Sequence, residues 1–459
     1  MAAGLGLALI RPVQADDYIE RGDALAGRYA FTEAIGEYLK ARSQTPHDPA
    51  IALRLARVHR ARGEYDQAAL ELESALAAPV TRPAALLEAG DLAQLRGDGA
   101  QAKAQWEAAA AAAPANPAPI SRLAGQAVRE RDLKGAQARL EQLVRLTPAD
   151  SPTRFQLALV AALSDRDQAR QHLSTLDAGA PEFVRQRANA FATALDQADR
   201  AADSAEADLV LGQAYLDANE IGLAETALDR ALRANPALDA ARSRLAYALT
   251  QTGDATRARE LAEATVASTP DDPMAWEALG LAQRSAGDLA GAKETFEAAQ
   301  QRFPSDPLFA AELGNTLVGL GDGLGAEPWY NRAVELAPTE PAFLVLKAKF
   351  YLDRAWQVDR GLQAAWRAEE LRPADAEIKD LVGWGHYLKH DRQTAVDKLT
   401  EAIRIEPTLA IAHYHLAIVL ESAGELALAR VEYQSARDLA RDKTLREAAE
   451  LGAAKLPAP

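Results

Sequence analysis

Residues 269–280 read TPDDPMAWEALG, with two prolines and two aspartates directly before an apolar run that carries Trp276. A chain rich in helix formers breaks sharply here, and it does so again and again. The phrase returns as PHDPAIALRLA from Pro46, PANPAPISRLA from Pro114, PADSPTRFQLA from Pro148 and PALDAARSRLA from Pro236. It continues as PSDPLFAAELG from Pro304, PTEPAFLVLKA from Pro338, PADAEIKDLVG from Pro373 and PTLAIAHYHLA from Pro407. The steps Pro114 to Pro148, and Pro236 to Pro270 to Pro304 to Pro338, are each 34 residues. A fixed period of that length marks a stacked-repeat architecture and outranks any local motif.

The interior of each repeat has the spacing of two helices. Pro270 closes one repeat, because the residue before a proline disfavours helix. Asp271 or Asp272 then caps the next helix and Pro273 suits its first turn. Trp276, Leu279, Gly280 and Gln283 follow at helical spacing, AGD at 286–288 makes a turn, and Ala292, Phe296 and Ala299 form the stripe of a second helix. Small residues at Gly280 and Ala292 allow a close approach, and Trp276 and Phe296 fill the remaining space, so Trp276 reads as a packing residue.

The pattern Trp–x2–Leu–Gly, Ala–x3–Phe–x2–Ala and a closing Pro resembles the tetratricopeptide repeat. Residues 273–304 match it best, with Gln283 where that family usually has Tyr. Residues 17–46, 205–236, 307–338 and about 410–441 carry the same frame, and about eleven such repeats and one degenerate one cover the chain from residue 16. The resemblance implies an all-α fold, a right-handed superhelical solenoid of about 11–12 stacked helix-turn-helix repeats. It also implies a protein-interaction scaffold, with the first helices of the repeats lining a concave groove that holds an extended or helical peptide.

Composition agrees with helix stacking. The 459 residues are 48% hydrophobic but only 6% aromatic, and Ala, the best helix former, dominates. The net charge is −15, which argues against nucleic acid as the main partner. There is no cysteine, which excludes disulfides, thiolate zinc sites, cysteine nucleophiles and a lipobox-type anchor.

Ala2–Ile10 is apolar but too short to span a membrane, and no other run approaches that length. Val13 and Ala15 follow at the spacing of a signal-peptidase site, giving a mature start at Asp16, although a basic n-region is missing. The expected organisation is a signal peptide at 1–15, an N-terminal array at 16–177 and an irregular helical insert or hinge at 178–204. A C-terminal array at 205–441 and a capping helix with tail at 442–459 complete it. Within the insert an extra helix is expected near 182–200. The tail caps the last repeat, whose outer face would otherwise expose apolar side chains.

Residues two before and two after the repeat Leu should point into the groove. The candidates are Leu53, Arg57, Leu87, Tyr247, Leu281, Asn315, Lys349, Trp384 and Tyr414. One subset of the family grips a peptide carboxylate with Lys and Asn, Asn, then Lys and Arg at such positions. Here only Asn315 and Lys349 echo it, so no such clamp is expected. The mixed, fairly apolar lining suggests an apolar or amphipathic helical segment of another protein, with self-association as an alternative.

His386 and His390 stand at i and i+4, and His413 and His415 lie in the next repeat. The first pair has metal-chelating spacing, but His386 and His413 occupy packing positions, so no metal is expected. GLGDGLG at 319–325 lacks the Lys–Ser/Thr of a phosphate loop and falls at an interhelical turn. No catalytic constellation or dinucleotide fingerprint is found, and neither catalysis nor a cofactor is expected. The leading expectation is an exported or envelope-associated scaffold. The alternatives are an intracellular regulatory or chaperone-like subunit and, more remotely, a helical-solenoid enzyme.

Overall fold

A computed structural model describes residues 13–176 and 179–457. The apolar run Ala2–Ile10 lies outside the described residues. Among those described there are 26 α-helices and no strand. They make twelve helix pairs and two single helices, Glu182–Arg200 and Lys443–Lys455. The fold is therefore an all-α solenoid of stacked helix pairs.

The repeated joint explains why each helix starts where it does. At Asp48, Asn116, Asp272 and Asp306 the side chain accepts the backbone N–H two residues on, at 2.8–3.0 Å, and a proline follows directly at the first helical position. That proline loses nothing, because its N–H would have no partner in the helix. Second helices use Asp132, Asp288 and Asp322 to cap the N–H three residues on, at 2.8–2.9 Å. Trp276 ties the joint to its helix, its indole N–H donating to the Pro270 carbonyl at 2.8 Å. In the last repeat His413 Nε2 meets the Pro407 carbonyl at 3.1 Å in the same way.

Within a pair, contact is as close as backbone allows. A Cβ built on Gly280 would sit 2.3 Å from Cζ of the fully buried Phe296. Gln283, in the place of the family's Tyr, is buried and accepts from Thr295 Oγ1 at 2.7 Å, so the polar substitution is satisfied.

The chain forms two compact units. Unit one holds residues up to Ala112 together with those from Ala348 onward; unit two is Ala113–Lys347. Residues 179–204 of the expected insert lie inside unit two. Its helix Glu182–Arg200 buries Val184, Ala188, Phe191, Leu195 and Ala198. Phe191 packs 6.5 Å from the Phe155 ring and 5.2 Å from the Tyr215 ring. Tyr215, fully buried, donates its hydroxyl to the Leu159 carbonyl at 2.7 Å. A single helix thus stands where a pair would be, and Arg131 of one repeat reaches Glu225 across 94 residues of sequence.

In unit one the first repeats pack on the last. Leu439 joins the cluster of Phe31, Ala34 and Leu55. Beside it Asp438, 5% exposed, accepts from Arg62 Nε at 3.2 Å, from Arg437 Nη2 at 2.6 Å and from Thr32 Oγ1 at 3.3 Å. Burial pushes this carboxyl up, and the Arg437 and Arg62 guanidiniums pull against it. The helix Lys443–Lys455 and Leu456 cover the cluster of Leu416, Leu420 and Tyr433.

Two stability tests follow from these contacts. Gly280→Ala should cost about 1–3 kcal/mol in urea unfolding, because the Phe296 ring has no free space to yield. Asp438→Ala should cost about 2 kcal/mol. It should lower amide-exchange protection in Phe31–Gln44 and Leu426–Leu439 together, and loss confined to one of them would contradict the contact.

Candidate partner-binding surface

First helices of neighbouring repeats touch side by side within each unit. Because the period is 34 and one helical turn back is three, contacts fall at a spacing of 31. Arg54 Nε meets Asp23 Oδ1 at 2.9 Å and Arg57 Nε meets Glu88 Oε1 at 2.8 Å. Arg244 Nε meets Gln213 Oε1 at 2.6 Å, and the Trp384 ring stacks on His415 with centroids 4.2 Å apart. This face is the one the candidate groove residues were assigned to.

The nine candidates are placed as follows. Leu53 is buried with Ala56, Ala68 and Leu72, so its side chain serves the core. Arg57 is exposed at its Glu88 pair, with Leu87 half-buried next to that glutamate. In unit two Tyr247 is half-buried against Ala246, Ala278 and Leu279, and Leu281 is half-buried two residues beyond. Asn315 Oδ1 accepts the Tyr330 hydroxyl at 2.9 Å, which fixes the amide within its own repeat. In unit one Lys349 pairs with Glu377. Trp384 stacks between Tyr387, at 5.1 Å, and His415, and Tyr414 lies 6.2 Å from His415 and 5.9 Å from Tyr433. The structure thus gathers Trp384 and Tyr414 into one aromatic patch through His415, while Asn315 and Lys349 fall in different units.

His415 Nδ1 is 2.8 Å from Oδ1 of the buried Asp380. His386 and His390 are not one turn apart on a helix: the helix ends at Leu388, and His390 sits in the turn at φ +64°. In the next repeat Gly424 takes that place at φ +81°. His386 Nδ1 instead meets Asp391 Oδ2 at 3.0 Å. Among the described residues no three His, Asp or Glu side chains converge as metal ligands would.

The helix expected near 182–200 is present as Glu182–Arg200, but none of its residues is among the groove candidates, because they carry no repeat signature. Arg187, Phe191 and Ala194 face a cleft bounded on its other side by Val210, Gln213 and Arg244. The 31-residue spacing that joins Gln213 to Arg244 could have pointed to half of it.

Unit two also holds an unusual acid. Burial, then the neighbouring carboxylates of Glu312 and Asp306, push Glu277 up to about 7. Tyr247 beside it is pushed up by burial and by the same Glu277 and Glu312. Glu312 is paired with Arg284. The folded pKa of Glu277 exceeds the unfolded one, so its favourable contribution is full below about 4.5 and is lost as pH rises through about 7. Glu277→Gln should therefore gain on the wild type in thermal midpoint between pH 5 and 8, by about 1–3 °C. A difference that does not change with pH would refute the assignment.

The tetratricopeptide repeat model matches residues 13–81, 209–273, 243–307 and 277–341. No curated protein sequence matches the chain. Among solved structures, YrrB, described as a TPR protein with an unusual peptide-binding site, is 22% identical, with TM-score 0.33, 40% of this chain and 95% of that one covered. Cut9 in its complex with Hcn1 is 13% identical, with TM-score 0.42, 95% and 90% covered. A tetratricopeptide repeat protein from Parabacteroides merdae is 14% identical, with TM-score 0.43, 54% and 98% covered. With the family model matching in both units and one helix-pair frame running through the described residues, the chain belongs to the tetratricopeptide repeat family.

Proposed function

We propose that this scaffold is non-catalytic and holds segments of partner proteins against the first-helix faces of its repeats. The observation that carries the reading is the placement of Tyr247, Trp384 and Tyr414. These large side chains are half-buried on that face, outside the pair-to-pair core, where apolar area remains for a partner to cover. Aromatic side chains of this kind supply most of the energy where they sit under a partner. An apolar or amphipathic segment suits them best.

We further propose that the protein works outside the cytoplasm. The apolar Ala2–Ile10 followed by Val13 and Ala15 supports this. One observation favours the alternative, an uncleaved intracellular chain. Gln14 and Asp17 form the capping box of the first helix, and Ala15 packs beside Phe31. A cut before Asp16 removes both contributions. Mass spectrometry of the native protein separates the two: a start at Asp16 supports export, an intact Met1 the alternative. No helix among the described residues is long and apolar enough to cross a membrane.

The test of the scaffold reading is affinity capture with the wild type, Tyr247→Ala and Trp384→Ala, followed by titration of the captured partner. At least one variant should bind it about tenfold more weakly or worse. Equal binding by all three would overturn the placement of the surface.

A further inference from the structure

A cleft of about 580 Å³ lies in unit two, against the helix Glu182–Arg200. Its floor is apolar, with Phe191, Ala194 and Val210. It exists because one helix replaces a pair here, so no second helix fills the space beside Ser204–Asp217.

The charge at its mouth is distinctive. At two 31-residue contacts of unit one, Arg54–Asp23 and Arg57–Glu88, an arginine meets a carboxylate. At the cleft the acid is replaced by Gln213. Arg244 donates to the Gln213 amide oxygen at 2.6 Å and to the Ala240 carbonyl at 2.9 Å, both neutral. Arg187, on the opposite lip, already has Glu220 at 3.6 Å and the Ala218 carbonyl. Asp217 accepts from Gln213 Nε2 at 2.8 Å. Among the described residues Arg244 thus has neutral partners only, at the edge of an apolar cleft, in a chain of net charge −15.

The geometry points to a docking site for a partner segment that combines an acidic side chain with apolar ones, the carboxylate on Arg244 and the apolar groups over Phe191 and Val210. A guanidinium held by two neutral acceptors gains a charge-assisted pair when a carboxylate arrives, and the apolar floor excludes the water that would weaken it. A basic segment meets an unpaired positive charge and is rejected. This rests on the scaffold reading and adds the location and the chemistry of one partner.

The probes are two fluorescent 12-residue amphipathic peptides with the same leucine pattern, one with glutamates and one with lysines on the polar face. Fluorescence anisotropy with the full chain should show the glutamate peptide binding about tenfold or more tightly than the lysine peptide. Arg244→Gln should weaken the glutamate peptide about tenfold. Gln213→Glu should do the same, because it gives Arg244 an internal acid such as Asp23 and Glu88 supply to Arg54 and Arg57. Ala190→Trp, which fills the cleft from an exposed position, should also block it. Equal affinity for the two peptides, no binding up to about 1 mM, or variants that bind as the wild type would overturn the site. Capture that depends on Tyr247 or Trp384 beside failed peptide binding would sink this inference alone. Peptide binding lost in Gln213→Glu, with capture indifferent to Tyr247 and Trp384, would sink the earlier surface and leave this one.

Discussion

Helices of 11–14 residues are marginal in water by themselves, and nearly all of this chain is built from them. Each stands only because its apolar stripe is covered by the helix before and the helix after. Gly280 lying on Phe296 shows how tight the cover is within a pair. The proline–aspartate joints limit each helix to that length and satisfy the backbone groups exposed by the break. Chain ends and interruptions are therefore where the structure must do something other than repeat.

At the ends it does so twice. The helix Lys443–Lys455 covers the last apolar face, and the first and last repeats of unit one share a contact around Asp438. That contact holds a buried carboxylate among its neighbour Arg437 and two groups distant in sequence, Arg62 and Thr32. A buried ion pair is weak evidence for stability but strong evidence for a particular arrangement, since each partner left alone would be costly. At the interruption, the helix Glu182–Arg200 buries one stripe and leaves a cleft beside the next first helix. The departures from the period give this chain its individual surface, whereas the regular repeats supply a frame common to the family.

Much of the frame was legible in the sequence, as Trp276 shows. Its place six residues after the closing proline marks it as a packing residue, and its hydrogen bond to the Pro270 carbonyl gives the reason. The assignment of His386 and His390 to one helical turn failed for an equally local reason. His390 takes the left-handed turn position that glycine holds in the following repeat, and side-chain identity alone does not reveal that backbone. The groove candidates were less legible. Helix rotation decides whether Leu53 joins the core or faces outward, and a shift of one position in the face reverses the answer.

The sequence by itself determined the repeat, its joints and most of its caps, because these depend on residues within a few positions of one another: proline, aspartate and the Leu–Gly and Ala–Phe stripes. Only the tertiary structure decided that Asp438 meets Arg62, that Trp384 stacks on His415, and that Arg244 faces Gln213 beside an apolar cleft. Those contacts depend on how one repeat turns against the next. That rotation is set by the summed packing of many small side chains, and no single residue records it.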